Sequence, residues 1–359
     1  MRIGLNLLYL VPGGVGGTEI YARHLVDALA RLRPDDEFVL FTGAEAAPTF
    51  AARPPNVALR RVPVRAASKP LRIAAELSLL PALARREGVD VLHSVGTTAP
   101  LVAPCPSVVT IHDLIYEHFP ATFPAPARLG LKALVGPGAR RATRVHAISE
   151  FTKRDVVERL RVPPERVDVV LNGFGIAPGA DATPEAELRA RFGLGDARVA
   201  LCVSAALEHK NLPRLIEAME GVDARLVVAG HRGRERLEGA TFTGWVSEAD
   251  LEGLYRLADC AVYPSLFEGF GMPALEAMAR GVPLACSDAA SLPEVTGDAA
   301  ALFDPYDVAA MRAAILRVLD APGDLVARGR ARVEAFTWER CAEGVWAIYE
   351  RAARSPAST

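Results

Sequence analysis

The chain has 359 residues, half of them hydrophobic, and its 41 Lys and Arg nearly balance 43 Asp and Glu for a formal net charge of −2. That is the profile of a soluble globular protein with room for two α/β domains, each with its own core, and nothing in it implies a nucleic-acid partner. Five cysteines, Cys105, Cys202, Cys260, Cys286 and Cys341, lie far apart with no C-x-x-C pair, which argues against a disulfide framework or a zinc site and fits a reducing cytoplasm.

Short β-branched runs alternate with helical periodicities, the pattern of parallel sheets covered on both faces. The opening MRIGLNLLYLVPGG has one basic residue and an apolar run cut by Pro12 and Gly13, so a first buried strand is expected in place of a signal peptide. No stretch reaches the roughly 18 apolar residues of a membrane span. Strands are expected at 2–8, 37–42, 56–64, 90–95, 107–113, 144–149 and 166–171, with helices between most of them, including 18–32 and 70–86. The Gly-, Ala- and Pro-bearing stretch 171–198 reads as a linker followed by a short helix. Strands then resume at 199–205, 224–230, 240–246, 260–265 and 282–288. Two Rossmann-like domains in tandem, with no fixed-period repeat, is the economical arrangement.

Charge is unevenly shared. Residues 1–172 hold 22 Lys and Arg against 16 Asp and Glu, a surplus of +6, and the remainder of the chain is left at −8. The basic excess gathers in RRVPVRAASKPLR (60–72) and ARLGLKALVGPGARRATR (127–144). Solvated helix faces explain most such clusters; the functional alternative is a positive face toward an anionic lipid or a phosphorylated acceptor.

Two glycine clusters follow strands and open helices. In VPGGVGGTE (11–19) the glycines let the backbone approach a ligand, and the free N–H groups of the helix start favour an anion. A dinucleotide fingerprint does not fit, because after Gly14 and Gly16 the third glycine position is Glu19, and the second strand ends in VLFTG with no acidic residue for a ribose. The second cluster, SLFEGFGMPALEAMARG, turns through Glu268, Gly269, Phe270 and Gly271 into a helix near Met272, with Pro273 in its first turn. Glu276 lies about one helical turn inside. Carboxylates beside an anion cradle would repel phosphate, so they are expected to accept hydrogen bonds from sugar hydroxyls. A nucleotide sugar, with a diphosphate between two polyols, meets both demands.

These residues resemble the retaining family-four glycosyltransferases (glycosyl transferases group 1) of the GT-B fold, mannosyltransferase-like. The match centres on the E-x7-E core and its flanks, Phe242 to Pro305, and extends in fainter form through GGVGGTE, TIHDL, HAISEFTKRDV, VLNG, LEHKNL and the closing FTWERCAEGVWAIYERA. The resemblance implies an α/β fold of two Rossmann-like doubly wound parallel-sheet domains facing a central cleft, with a C-terminal helix crossing back to the N-domain. It places an acceptor-binding domain at 1–172, joined by helix 338–359, and a nucleotide-sugar-binding domain at 173–337. It further implies roles residue by residue. Glu276 matches the ribose-binding glutamate. Glu268 matches the one that faces the donor sugar, beside the backbone of Gly269, Phe270 and Gly271. Lys210 matches the lysine that holds the diphosphate. Gly16 and Gly17 supply amides to the same phosphates, Trp245 and Val246 flank the base, and His112 stands beside the donor sugar; His112, Glu268 and Lys210 form the catalytic set. Where the family commonly carries an arginine, five or six residues before the lysine, this chain has Ser204 and Ala205, and His209 or another cation is expected to share that role.

Read without the family, His112 is a strand-end histidine satisfied by a backbone carbonyl, Trp245 a partly buried packing aromatic and Cys286 a core filler. His24, His93, His118, His146 and His231 carry no functional match. No two aspartates lie at i and i+2, so no D-x-D metal clamp is present, and neither a metal nor a cofactor is implied. The expected reaction moves a hexose, mannose favoured, from a nucleotide-diphosphate sugar, GDP-mannose favoured, to a glycan or lipid-linked acceptor with retained configuration. Cell-envelope polysaccharide or glycolipid synthesis is the expected setting, in the cytoplasm, with a peripheral contact between the N-domain and anionic membrane. The alternative is a nucleotide-sugar-binding protein with weak or no transferase activity, and the absent arginine favours it. An NAD oxidoreductase, a glycan phosphorylase and a nucleotide-sugar epimerase each lack their required motif.

Overall fold

The computed structural model describes residues 1–14, 16–174, 181–230 and 237–355; His231 and part of the expected linker lie outside them. The chain divides into two compact units, Met1–Gly175 with Phe336–Thr359, and Ile176–Ala335. In chain order the first contains β1 (Arg2–Leu7), α1 (Gly17–Leu32), β2 (Glu37–Thr42), β3 (Val57–Arg61), α2 (Lys69–Glu87), β4 (Val91–Ser94) and β5 (Ser107–Ile111). It continues with α3 (Ile115–His118), α4 (Ala125–Arg141), β6 (Arg144–Ala147), α5 (Glu150–Leu160) and β7 (Val167–Val169). The second unit runs α6 (Glu185–Phe192), β8 (Val199–Val203), α7 (Leu212–Met219), β9 (Arg225–Ala229), β10 (Thr241–Gly244), α8 (Glu248–Leu257) and β11 (Cys260–Tyr263). Then come α9 (Met272–Ala279), β12 (Leu284–Ser287), α10 (Leu292–Thr296), β13 (Ala301–Phe303), α11 (Val308–Asp320) and α12 (Leu325–Val333), before α13 (Trp338–Arg354) rejoins the first unit.

Among the described residues the first unit builds a seven-stranded sheet in the order β3-β2-β1-β4-β5-β6-β7, and the second a six-stranded sheet in the order β10-β9-β8-β11-β12-β13. Every ladder between these strands is parallel. Each sheet is sandwiched between helices, so its inner strands are buried almost end to end, which is why they read as continuous apolar runs, while the edge strands β3, β7 and β10 are only partly buried. Strand β13 is missing from the expected set, because three residues carry no period to read.

In the first unit, Phe38 and Leu40 pack with α1 and α13 on one face, while Val39 and Phe41 pack with α2 on the other. Helix α13 presents Cys341, Ala342, Val345, Trp346, Ile348, Tyr349 and Ala352 to that first face, an i, i+3, i+4 stripe, and its N-terminus is capped by the Thr337 hydroxyl, which accepts from the Arg340 N–H at 3.2 Å. Gly173 is required there: a Cβ on it would stand 2.5 Å from the Trp338 ring. Alongside, the Phe174 N–H donates to the Phe336 carbonyl at 2.9 Å.

A buried polar chain runs under the same face. Because His146 Nε2 faces the Val170 carbonyl at 2.9 Å, its proton is there and Nδ1 accepts, with the Thr110 hydroxyl at 3.0 Å and the Tyr21 hydroxyl at 3.2 Å within reach as donors. Thr110 Oγ1 also lies 2.7 Å from His93 Nε2, and the Tyr349 hydroxyl lies 2.7 Å from His93 Nδ1, so the chain of hydrogen bonds continues to α13. Burial holds both histidines neutral, pushing His146 down to about 4 and His93 well below its ordinary value. Among the described residues no helix is long and apolar enough to cross a membrane.

Candidate functional site

In each sheet the strand order reverses once, between β1 and β4 in the first unit and between β8 and β11 in the second. The crevice at the carboxyl ends of such strands is where open α/β sheets bind ligands, and the glycine turns and charged residues singled out by sequence emerge there.

In the second unit, Lys210 follows β8 and Glu268 follows β11. Their loops are tied together by backbone and amide bonds: Asn211 Nδ2 donates to the Pro264 carbonyl at 3.1 Å, and the Leu266 N–H donates to the His209 carbonyl at 2.8 Å. Asn211 adopts φ 58°, the left-handed conformation that this residue type tolerates best after glycine. So held, Lys210 Nζ donates to Glu268 Oε1 at 2.5 Å, and the Tyr263 hydroxyl donates to the same oxygen at 2.8 Å. Both side chains of the ion pair are largely buried, 16% and 13% exposed. Burial alone would push the Glu268 carboxyl up; the adjacent Lys210 charge and the two hydrogen bonds outweigh it and hold the group below its usual range. Two of the three Lys210 N–H donors have no partner among the described residues and remain for an anion.

The Glu268–Gly271 turn is fixed from behind. The buried Ser291 hydroxyl lies 2.9 Å from the Glu268 carbonyl and 2.8 Å from the Phe270 carbonyl and donates to them. Gly271 takes φ 113° at the start of α9, and a Cβ there would meet Leu292 Cδ2 at 2.6 Å, so both conformation and space demand glycine. No side chain caps α9, and since Pro273 has no N–H and the Ala274 N–H donates to the Gly271 carbonyl at 3.1 Å, the Met272 amide and the positive end of the helix are what the turn presents. Glu276, one turn on, is 7% exposed; its Oε2 accepts from the Tyr255 hydroxyl at 2.9 Å, and its Oε1 has no partner among the described residues. Burial raises the Glu276 pKa, countered in part by Tyr255 and by the charge of Arg280.

Three expectations about neighbouring residues resolve differently. Trp245 is not a partly buried packing aromatic: it stands 83% exposed after β10, and Val246 beside it is half-buried. His209 is buried, and burial followed by the Lys210 charge pushes it down to about 4, so it is neutral near pH 7 and cannot supply the cation absent at Ser204 and Ala205. Ser204 bends its hydroxyl to the Ala205 carbonyl at 3.1 Å, and its own carbonyl lies 2.4 Å from where a Cβ on Gly230 would stand. Cys286 is fully buried with its thiol pushed up, as core filler should be.

In the first unit, the loop from β1 to α1 places Gly16 at φ 57° as an N-cap without a side-chain bond, and Gly17 begins the helix. A Cβ on either would meet nothing within 4 Å, so packing is not what selects glycine there. Glu19 closes the loop by accepting from the Gly13 N–H at 2.7 Å and from Arg23 Nε at 2.9 Å, which neutralises a carboxylate that would otherwise repel an anion at this helix start. His112, just past β5, has its Nε2–H on the Val95 carbonyl at 2.9 Å and its ring edge-on to Tyr21. Burial pushes it down to about 4. It is therefore a neutral imidazole whose Nδ1 carries the lone pair and can only accept.

Sequence reasoning missed Tyr255, Tyr263, Ser291 and the Glu19–Arg23 clamp. None carries a local spacing signal except the last, an i, i+4 pair.

Residues 185–333 match the family model for glycosyl transferases group 1, and residues 15–177 match that for glycosyltransferase family 4. O-antigen chain mannosyltransferase B of Escherichia coli is 31% identical over 66% of this chain and 68% of its own length. MMP alpha-(1->4)-mannosyltransferase of Mycolicibacterium hassiacum is 29% identical over 98% of both. Among solved structures, sucrose-phosphate synthase from Thermosynechococcus elongatus aligns with a TM-score of 0.71 at 21% identity over 98% of both chains. Anabaena HepE in complex with UDP-glucose gives 0.68 at 18% identity, again over 98% of both. The structural likenesses establish the fold, and with the sequence matches they make the chain a member of the glycosyl transferases group 1 family, a glycosyltransferase with the GT-B fold.

Proposed function

We propose that the protein is a retaining hexosyltransferase that takes mannose from GDP-mannose and passes it to a glycan or lipid-linked acceptor in cell-envelope polysaccharide or glycolipid synthesis. The observation that carries this reading is the Lys210–Glu268 pair beside the uncapped start of α9, with the free Oε1 of Glu276 one turn further on. Mannose is favoured because curated relatives such as the Escherichia coli and Mycolicibacterium hassiacum proteins carry mannosyltransferase names.

In this mechanism Lys210, the positive end of α9 and the amides of Gly16 and Gly17 stabilise the departing diphosphate, with electrostatic preorganisation as the main term. Glu276 accepts from the ribose, Glu268 from the donor sugar, and Trp245 and Val246 flank the base. The anomeric carbon–phosphate oxygen bond breaks as the acceptor hydroxyl attacks from the same face, and the acceptor proton passes to the departing phosphate oxygen. His112, able only to accept, takes a hydrogen bond from a donor-sugar hydroxyl. No protein general base is assigned.

A second reading, a nucleotide-sugar binder with weak turnover, is favoured by one feature: Ser204 and Ala205 supply no cation, His209 is neutral, and Lys210 is already engaged by Glu268. Thermal shifts with GDP-mannose, UDP-glucose, UDP-GlcNAc, ADP-glucose, NAD and free nucleotides, on the wild type and Glu276→Ala, test the donor site. Stabilisation by GDP-mannose, lost in the variant, is expected; stabilisation by NAD alone, or by nothing, would refute it. Release of GDP in the presence of acceptor lipid separates transferase from binder.

For the acceptor side, helices α2 and α4 of the first unit expose Leu71, Leu79 and Leu129 as well as Lys69, Arg86 and Lys132, residue types suited to the anionic headgroup region at the cytoplasmic face of a membrane. Failure to bind anionic liposomes at low salt would remove that element.

A further inference from the structure

Glu276 does not stand alone in the second unit. Tyr255, on α8 and 1% exposed, donates its hydroxyl to Glu276 Oε2 at 2.9 Å. Arg280, one turn along α9 from Glu276, lies 4.5 Å over the Tyr255 ring, and its NH1 donates to the Glu276 carbonyl at 3.0 Å. The same guanidinium is pinned by Glu252 of α8, Nε to Oε2 at 2.7 Å, with both side chains nearly inaccessible at 4% and 5%. Arg280 is thus spent on holding α8 against α9 and is not an anion-binding cation. What the arrangement leaves is a tyrosine ring clamped under a planar cation, its hydroxyl aimed at one carboxylate oxygen.

We propose that Tyr255 is the positioning residue that sets the orientation of Glu276 and so decides recognition of the ribose hydroxyls. By engaging Oε2 it fixes the plane of the carboxylate and leaves Oε1 unengaged among the described residues. Its donated hydrogen bond also favours the ionised form that a hydroxyl-binding acceptor needs. A carboxylate without this tether could rotate about its last torsion, which is broad and roughly two-fold, and offer either oxygen. The inference rests on the reading of Glu276 as the ribose acceptor.

The test uses the full chain and two probes: GDP or UDP, whichever binds more tightly by calorimetric titration, and its 2′,3′-dideoxy analogue. Tyr255→Phe keeps the ring under Arg280 and removes only the hydroxyl. It is expected to weaken the ribonucleotide about five- to tenfold, the scale of one ordinary net hydrogen bond, and to leave the dideoxy analogue unchanged. Glu276→Gln is expected to abolish the preference for the ribonucleotide, and adding Tyr255→Phe to it should cost nothing further. If Glu276→Gln weakens the ribonucleotide while Tyr255→Phe leaves the ribo-to-dideoxy ratio untouched, the positioning role is wrong and the ribose role of Glu276 stands. If the wild type does not distinguish the two probes, both fall. Equal weakening of both probes by Tyr255→Phe means a purely structural tyrosine and overturns the inference as well.

Discussion

Replacing Lys210 by Ala strips the countercharge from a carboxylate that is only 13% exposed. In the wild type the Glu268 pKa lies below its ordinary value, so the pair contributes stability above the unfolded value of about 4.3, and that contribution is lost as pH falls through the folded value. In Lys210→Ala only the neutral hydroxyls of Ser265 and Tyr263 are left to oppose the full effect of burial. The folded pKa then rises above the unfolded one, and Glu268 becomes a cost at neutral pH that acid relieves. A charge-assisted hydrogen bond between groups this buried is worth about 1.5–3 kcal/mol. For a unit the size of Ile176–Ala335, that corresponds to a fall in Tm of roughly 3–12 °C at pH 7. The difference from wild type should narrow as pH approaches 4. Scanning calorimetry between pH 4 and 8 follows the transition, and Lys210→Ala combined with Glu268→Gln should recover much of the loss because no buried charge is left unpaired. A Tm within 1 °C of wild type at pH 7, or a double variant no better than the single one, would refute the argument.

Ser291→Ala removes the hydroxyl shared by the Glu268 and Phe270 carbonyls and should cost about 1–2 kcal/mol in urea unfolding, with weaker nucleotide binding; unchanged values on both would deny the serine its role in the turn. Gly271→Ala meets both the φ of 113° and the 2.6 Å contact with Leu292, and a loss of about 2–4 kcal/mol is expected from the denaturation midpoint. His93, His112 and His146 are neutral in the folded first unit, so the unfolded chain binds more protons below about pH 6.5 and stability should fall from there toward about pH 4. Unfolding enthalpies in buffers of different ionisation heat at pH 5.5 should then report uptake of about three protons for that unit, and none would contradict their burial as neutral groups. Trp245→Ala should leave Tm unchanged, since the ring is 83% exposed, yet weaken nucleotide binding by about 1–3 kcal/mol if the base stacks on it, read by titration calorimetry.

What could be read from the chain alone was whatever is contiguous. The strands were legible because burial on both faces makes them unbroken apolar runs, and the turn from Glu268 to Glu276 was legible because glycine, proline and carboxylate positions that serve one ligand lie within one strand–turn–helix unit. The three-residue β13 was not, since it has no period. Nor could the sequence tell which state a named residue would be in. His112 and His209 look alike as polar residues at loop starts, and only burial decides that both are neutral and that neither supplies a charge.

The sequence by itself determined the fold class, the two glycine turns and the list of groups able to meet a diphosphate and two polyols. Tertiary structure decided which of those groups are already spoken for. Lys210 is paired with Glu268 across 58 residues, Ser291 holds a turn 21 and 23 residues away, Arg280 is committed to Glu252, and Glu276 keeps one free oxygen because Tyr255 holds the other. Such assignments depend on distance, burial and hydrogen-bond direction between elements that meet only when the parallel sheet brings β8 beside β11, a neighbour relation that no local pattern in the chain encodes.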